Sequence, residues 1–153
     1  LNMNIHPNHQ DLSQVYADAR QWLLDFPETA EDFPFGPDVV VFKVKGKMYG
    51  TLALGKKDKS NKQEKDVNTP ARDSNAAHEY WINLKCDPQE AIMLRDVFSA
   101  VIPGYHMNKQ HWNTVKLDGS LPQGEIKRMI HNSYMLVVNK LPKKDQVSIL
   151  IHL

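Results

Sequence analysis

Val39-Val40-Val41-Phe42-Lys43-Val44-Lys45-Gly46-Lys47-Met48-Tyr49-Gly50-Thr51-Leu52-Ala53-Leu54 decides the fold. Val40, Phe42 and Val44 alternate with Val41, Lys43 and Lys45, and the apolar series resumes after Gly46 at Met48, Leu52 and Leu54. A period of two that breaks at a Lys-Gly pair is the pattern of a β-hairpin, because glycine accepts the positive φ of a tight turn. Lys43, Lys45 and Lys47 then share the face opposite the apolar one.

Working towards the N-terminus, Leu12, Val15, Tyr16, Ala19, Trp22, Leu23 and Phe26 follow helical spacing, and Pro27 stops the helix. The stretch from Pro27 to Pro37, with its prolines, Gly36 and acids, reads as an irregular connector anchored by Phe33 and Phe35. Working towards the C-terminus, residues 56–77 lose all periodicity and read as a mobile lysine-rich loop. A third strand is predicted at Tyr80, Ile82, Leu84 and Cys86, with Trp81, Asn83 and Lys85 on its other side. Asp87-Pro88-Gln89-Glu90 starts a second helix, with Leu94, Val97, Phe98 and Val101 on its core face and Pro103-Gly104 at its end. Between Tyr105 and Asp118 we read two short strands turning near 108–110. Val115 and Leu117 face inward there, and Trp112, Thr114 and Lys116 outward. Asp118-Gly119 is a turn, and Ser120 with Gln123 forms a capping box before a long helix through Ile126, Met129, Ile130, Tyr134, Val137 and Leu141. A short helix follows Pro142. The expectation is one α+β domain over 1–153: an antiparallel sheet of about five strands with amphipathic helices on one face.

The 153 residues carry a net charge of only +1, but it is segregated. Asp11 to Asp38 holds seven acids against Arg20, and Lys43 to Lys65 holds eight lysines against two acids. Such asymmetry can present a basic face to an anionic partner, although lysines also decorate many solvated hairpins. Cys86 is the single cysteine, so no intrachain disulfide forms. It ends an apolar run, where a buried, inert thiol is expected. With no apolar run of membrane-spanning length and no secretory-signal pattern, a cytoplasmic protein is expected. The histidines have no carboxylate at metal-site spacing, and His111, Trp112, Thr114 and Asp118 are the nearest approach to a catalytic constellation, so neither metal, cofactor nor enzyme is expected.

The string Asn108-Lys109-Gln110-His111-Trp112-Asn113-Thr114-Val115, then Leu117-Asp118-Gly119-Ser120-Leu121-Pro122, Ser133-Tyr134 and Leu141-Pro142, resembles the MmcQ/YjbR family. Phe33-Pro34-Phe35-Gly36, Val41-Phe42-Lys43-Val44 and Gly46-Lys47-Met48 resemble its N-terminal half. The resemblance implies a compact α+β fold related to frataxin-like proteins and secretion chaperones, and DNA binding through a double wing of hairpins. Its physical counterpart would be phosphate contacts from Lys43, Lys45 and Lys47 on one hairpin and Lys109, His111 and Lys116 on the other. Trp81, Lys85, Trp112 and Thr114 complete the expected surface, with the two indoles available for base stacking. The alternative is a protein-interaction module that uses a sheet edge or an exposed Trp patch to receive a peptide, another protein or a second copy.

Overall fold

The computed structural model describes residues 11–56 and 78–153. The lysine-rich stretch beyond Lys56, and the tail holding His6 and His9, lie outside them. Six strands form one antiparallel sheet in the order β1-β2-β3-β4-β6-β5, accompanied by four helices.

Helix α1 (Leu12–Leu24) begins at Asp11, whose carboxylate accepts the Ser13 N–H at 3.0 Å and so satisfies one of the first-turn donors. Strands β2 (Val39–Val44) and β3 (Lys47–Lys56) are the anticipated hairpin. Lys45 at φ 50° and Gly46 at φ 76° supply the paired left-handed conformations of a two-residue turn. Strand β4 (His78–Lys85) continues the sheet, and β6 (Trp112–Lys116) follows it.

Three elements depart from expectation. The connector after Pro27 contains an edge strand, β1 (Thr29–Asp32), paired from Thr29↔Val44 to Asp32↔Val41. Helix α2 (Pro88–Val97) stops early because Phe98 is extended, which leaves Val97 69% exposed and frees Val101 to enter strand β5 (Val101–Pro103). Strand β5 pairs with β6, so the strand expected from Tyr105 lies earlier and 104–111 is a loop. Asp87 holds the N-cap of α2 with Pro88 in its first turn, as expected, but the bonds anticipated at the starts of α2 and the long helix are not formed. Asp87 makes no capping bond, and Glu90 accepts from Arg128 instead. The Ser120 hydroxyl donates to Asp118 at 2.6 Å, while Pro122 occupies the cap of helix α3 (Gln123–Val138).

The core joins one sheet face to the helices: Phe42, Val44, Leu52, Ile82, Leu84 and Val115 meet Leu23, Ile126, Ile130 and Tyr134. Burying each large side chain contributes about 1.5–3 kcal/mol. The short helix α4 (Lys143–Leu150) adds Ile149. Polar groups fix the docking. Tyr49 Oη donates to Leu23 O at 2.7 Å, Tyr134 Oη donates to Pro27 O at 2.6 Å, and the Ser133 hydroxyl donates to Tyr49 O while accepting the Lys85 N–H at 2.9 Å.

Alternation leaves a second face. Its cross-strand rows are Val39, Ala53, Trp81 and Lys116, and then Val41, Thr51, Asn83 and Thr114. The register also puts the Lys45-Gly46 turn, Lys85 and His111 at one end of the sheet.

Candidate functional site

Both expected tips therefore lie at the same end of the sheet, but their charges are not those anticipated. Lys43 Nζ is 2.7 Å from Asp32 Oδ2, and Lys45 Nζ is 2.9 Å from Glu28 Oε1. These bonds hold both carboxylates below their usual range and raise the Lys45 ammonium above its own. The acidic N-terminal third thus neutralises two lysines assigned to the first wing. Lys47 remains exposed beside half-buried Lys85. Burial first, and then repulsion from Lys140 and Lys47, lower the Lys85 pKa, so three cations share this end. At the second tip, Lys109 Nζ donates to Gly104 O at 3.1 Å and the Arg95 guanidinium donates to Asn113 Oδ1 at 2.7 Å and to Lys109 O. Arg95 braces the loop, and His111 is exposed on it.

The second face, over which no helix of the described residues packs, carries aromatic rings. The Trp81 indole lies flat on Gly55, where an added Cβ would fall 2.0 Å from Cδ2. Its Nε1 donates to the buried Glu79 carboxylate at 3.0 Å, Lys116 Nζ stands 5.3 Å from its ring centroid, and Tyr105 meets it edge-on at 5.5 Å. A second pair sets Lys85 Nζ 5.8 Å from the Trp112 ring. Trp112 is nevertheless only 6% exposed, and Thr114 is fully buried. Both were expected to be outward and available. They do leave the sheet on the predicted side, but neighbouring groups cover them: Trp112 Cβ packs against Gly104, and the Thr114 hydroxyl accepts the Tyr105 N–H at 2.8 Å and donates to Asn83 Oδ1. Between the two side loops runs a groove of about 470 Å³, with Phe35 and Tyr105 as walls and Thr51, Ala53, Trp81 and Asn83 as floor.

The supposed catalytic constellation does not converge. His111 is exposed at the tip, Thr114 is enclosed, and the Asp118 carboxylate accepts from Ser120 N and Oγ. Among the described residues no three His, Cys, Asp or Glu side chains are grouped to hold a metal, and no helix is long and apolar enough to cross a membrane. Cys86 is half-buried, and burial pushes its thiol up to about 11.

A model of the YjbR family matches residues 24–136. The chain belongs to the YjbR family. Along 136 residues it is 29% identical to the uncharacterized protein YbdF of Escherichia coli O157:H7, covering 89% of this chain and 94% of that one. It is 45% identical over 65 residues to the uncharacterized protein YjbR of E. coli K12, which is 42% of this chain and 55% of that protein. The crystal structure of Deinococcus radiodurans protein DR2400, a DUF419 domain, superposes with a TM-score of 0.67 at 28% identity, covering 94% of this chain and 89% of that one.

In this YjbR chain the matched segment runs from the end of α1 into α3, and so includes both tips and the whole second face. Of the ten residues expected to form the surface, Lys47, Lys85, Lys109 and His111 gather at the tip end, while Trp81 and Lys116 stand together near the groove. Lys43 and Lys45 are ion-paired, and Trp112 and Thr114 are enclosed. Lys140, Phe35 and Tyr105 join these surfaces without being among the expected site residues. Lys140 follows the long helix, far along the chain from either tip, and Tyr105, expected to open a strand, lies in the 104–111 loop. Phe33 and Phe35, expected to anchor the connector by burial, are instead 48% and 71% exposed, which leaves the Phe35 ring free to line the groove.

Proposed function

We propose that this YjbR protein is a non-catalytic, cytoplasmic DNA-binding protein whose sequence-tolerant phosphate contacts come from the end of the sheet where the two tips meet. The observation that carries this reading is that Lys47 and Lys140 lie near enough to half-buried Lys85 to repel its charge, while none of the three has an acidic partner among the described residues. Unneutralised cations repel one another, and a phosphate placed among them relieves that repulsion while releasing counterions. Lys109 and His111 extend the surface across the second tip. Lys43 and Lys45 contribute little, since each already holds a carboxylate.

The test is gel retardation of a generic duplex across a salt series. Substituting Lys47→Glu with Lys140→Glu, both at exposed positions, should weaken binding severely and lower the salt slope by about 0.9 for each phosphate no longer neutralised. Lys43→Gln with Lys45→Gln should change affinity far less. Equal retardation of the wild type and the Lys47/Lys140 variant would refute the reading.

One observation favours a second reading, a protein-interaction module. Helix α2 exposes Ile92, Met93 and Val97 by 56%, 64% and 69%, an apolar surface whose docking would be insensitive to salt. The sheet edges suit that role less well. Strand β1 presents Glu31 and Asp32, and β5 spans three residues ending in Pro103, which has no N–H to donate.

A further inference from the structure

We infer that the groove on the second sheet face receives an unpaired base of a single DNA strand, an inference that rests on the DNA-binding reading and deepens it. Its walls are two exposed rings. Phe35 is 71% exposed and Tyr105 51% exposed, yet Tyr105 is not loose, because its N–H is bound by Thr114 Oγ1 and its ring abuts Trp81. A volume of about 470 Å³ accommodates a planar heterocycle.

Charge selects the occupant. Among the described residues lining the groove, Lys56 carries a fixed charge, and Lys116 stands over Trp81 at its margin. Glu79, the nearby acid, is buried and occupied by the Trp81 indole N–H. A ligand with a flat apolar body and an anionic backbone matches this arrangement, with the base against the rings and flanking phosphates on Lys56 and Lys116. The floor offers the Asn83 amide and the Thr51 hydroxyl to the edge of the base. Asn83 Oδ1 is engaged by Thr114, but its Nδ2 makes only a long 3.4 Å contact with Tyr105 O, leaving donor capacity. A base within a duplex is stacked on both sides and cannot enter a recess between side chains. The groove therefore demands an unpaired one.

The experiment compares an oligothymidylate, a duplex of the same length and an unstructured Tyr-rich peptide, titrated against wild type, Phe35→Ala and Tyr105→Ala. Both positions are exposed, and unchanged thermal midpoints would establish that the variants fold. Each variant should lose roughly five- to 150-fold in single-strand affinity, the range for removing one stacking partner, with duplex retardation unchanged. In the wild type the oligothymidylate should quench tryptophan emission, and Trp81→Phe should abolish that quenching. Single-strand affinity insensitive to both alanines would overturn the inference while leaving duplex binding by the lysine end intact. Tighter binding of the peptide than of the strand would overturn it in favour of a peptide groove. Failure of the wild type to bind either nucleic acid at low salt would remove the underlying reading as well.

Discussion

Gly55 is a glycine because of a tryptophan. A methyl group there would lie 2.0 Å, 2.2 Å and 2.5 Å from Trp81 Cδ2, Cε2 and Cε3, so Gly55→Ala must lift the indole from the sheet. Overpacking of this kind costs about 1–3 kcal/mol. The expected outcome is a lower urea midpoint together with a red shift of Trp81 emission, as the ring leaves Gly55 for water. A midpoint equal to wild type would mean that the ring moves freely and is not a preset wall of the groove. Cys86 shows the opposite relation between burial and chemistry. Its thiol, pushed from 9.0 to about 11, yields roughly a hundredfold less thiolate at neutral pH than an unperturbed one. Alkylation by iodoacetamide at pH 7.5 should be slower than for a free thiol by a similar factor, and should reach the free-thiol rate on unfolding.

At the scale of elements, the Lys45-Gly46 turn sets the register of the first hairpin through two positive φ angles. Gly46→Ala places a Cβ in the left-handed region and should destabilise by about 1–2 kcal/mol, read as a shift in denaturation midpoint at constant slope. This hairpin, α1 and α3 were legible because apolar residues recur at the period of their structure. Strand β1 was not, since Thr29-Ala30-Glu31-Asp32 has no apolar alternation to read. It is a strand because β2 offers an unpaired edge and Lys43 lies within reach of Asp32. The same pairing takes Lys43 and Lys45 out of the segregated basic stretch. Acids near 28–32 and lysines near 43–45 are distant in sequence but antiparallel neighbours in the sheet, so they are two halves of one ion-paired ribbon. Trp112 and Thr114 teach a related lesson. Alternation placed them on the correct face, but a linear pattern does not say what loop will cover that face. Lys140 and Tyr105 reach the candidate surfaces only through tertiary packing, for which no local spacing exists.

For the whole molecule, alkali acts on the junction of α1 with the sheet and α3. Tyr49 and Tyr134 meet edge-on with ring centroids 5.2 Å apart, and their hydroxyls donate to Leu23 O and Pro27 O at the end of α1 and just beyond it. Burial raises both phenols, Tyr134 from 10.0 to about 12 and Tyr49 further. A folded-state pKa above the unfolded one means that the neutral form is favoured by folding. The stabilisation is complete below pH 10 and is lost as pH climbs through the folded value. The thermal midpoint should therefore hold steady up to about pH 9.5 and fall steeply between 10 and 12. Lysines lose their protons in the same window, and the Lys45–Glu28 pair would fail with them, so the decline alone does not identify its cause. Tyr49→Phe with Tyr134→Phe separates the two contributions. The double variant should start about 1–3 kcal/mol less stable, because two carbonyls lose their donors, and should then decline less steeply above pH 10. An undiminished decline would assign alkaline unfolding to the lysines and leave the tyrosines as neutral packing groups.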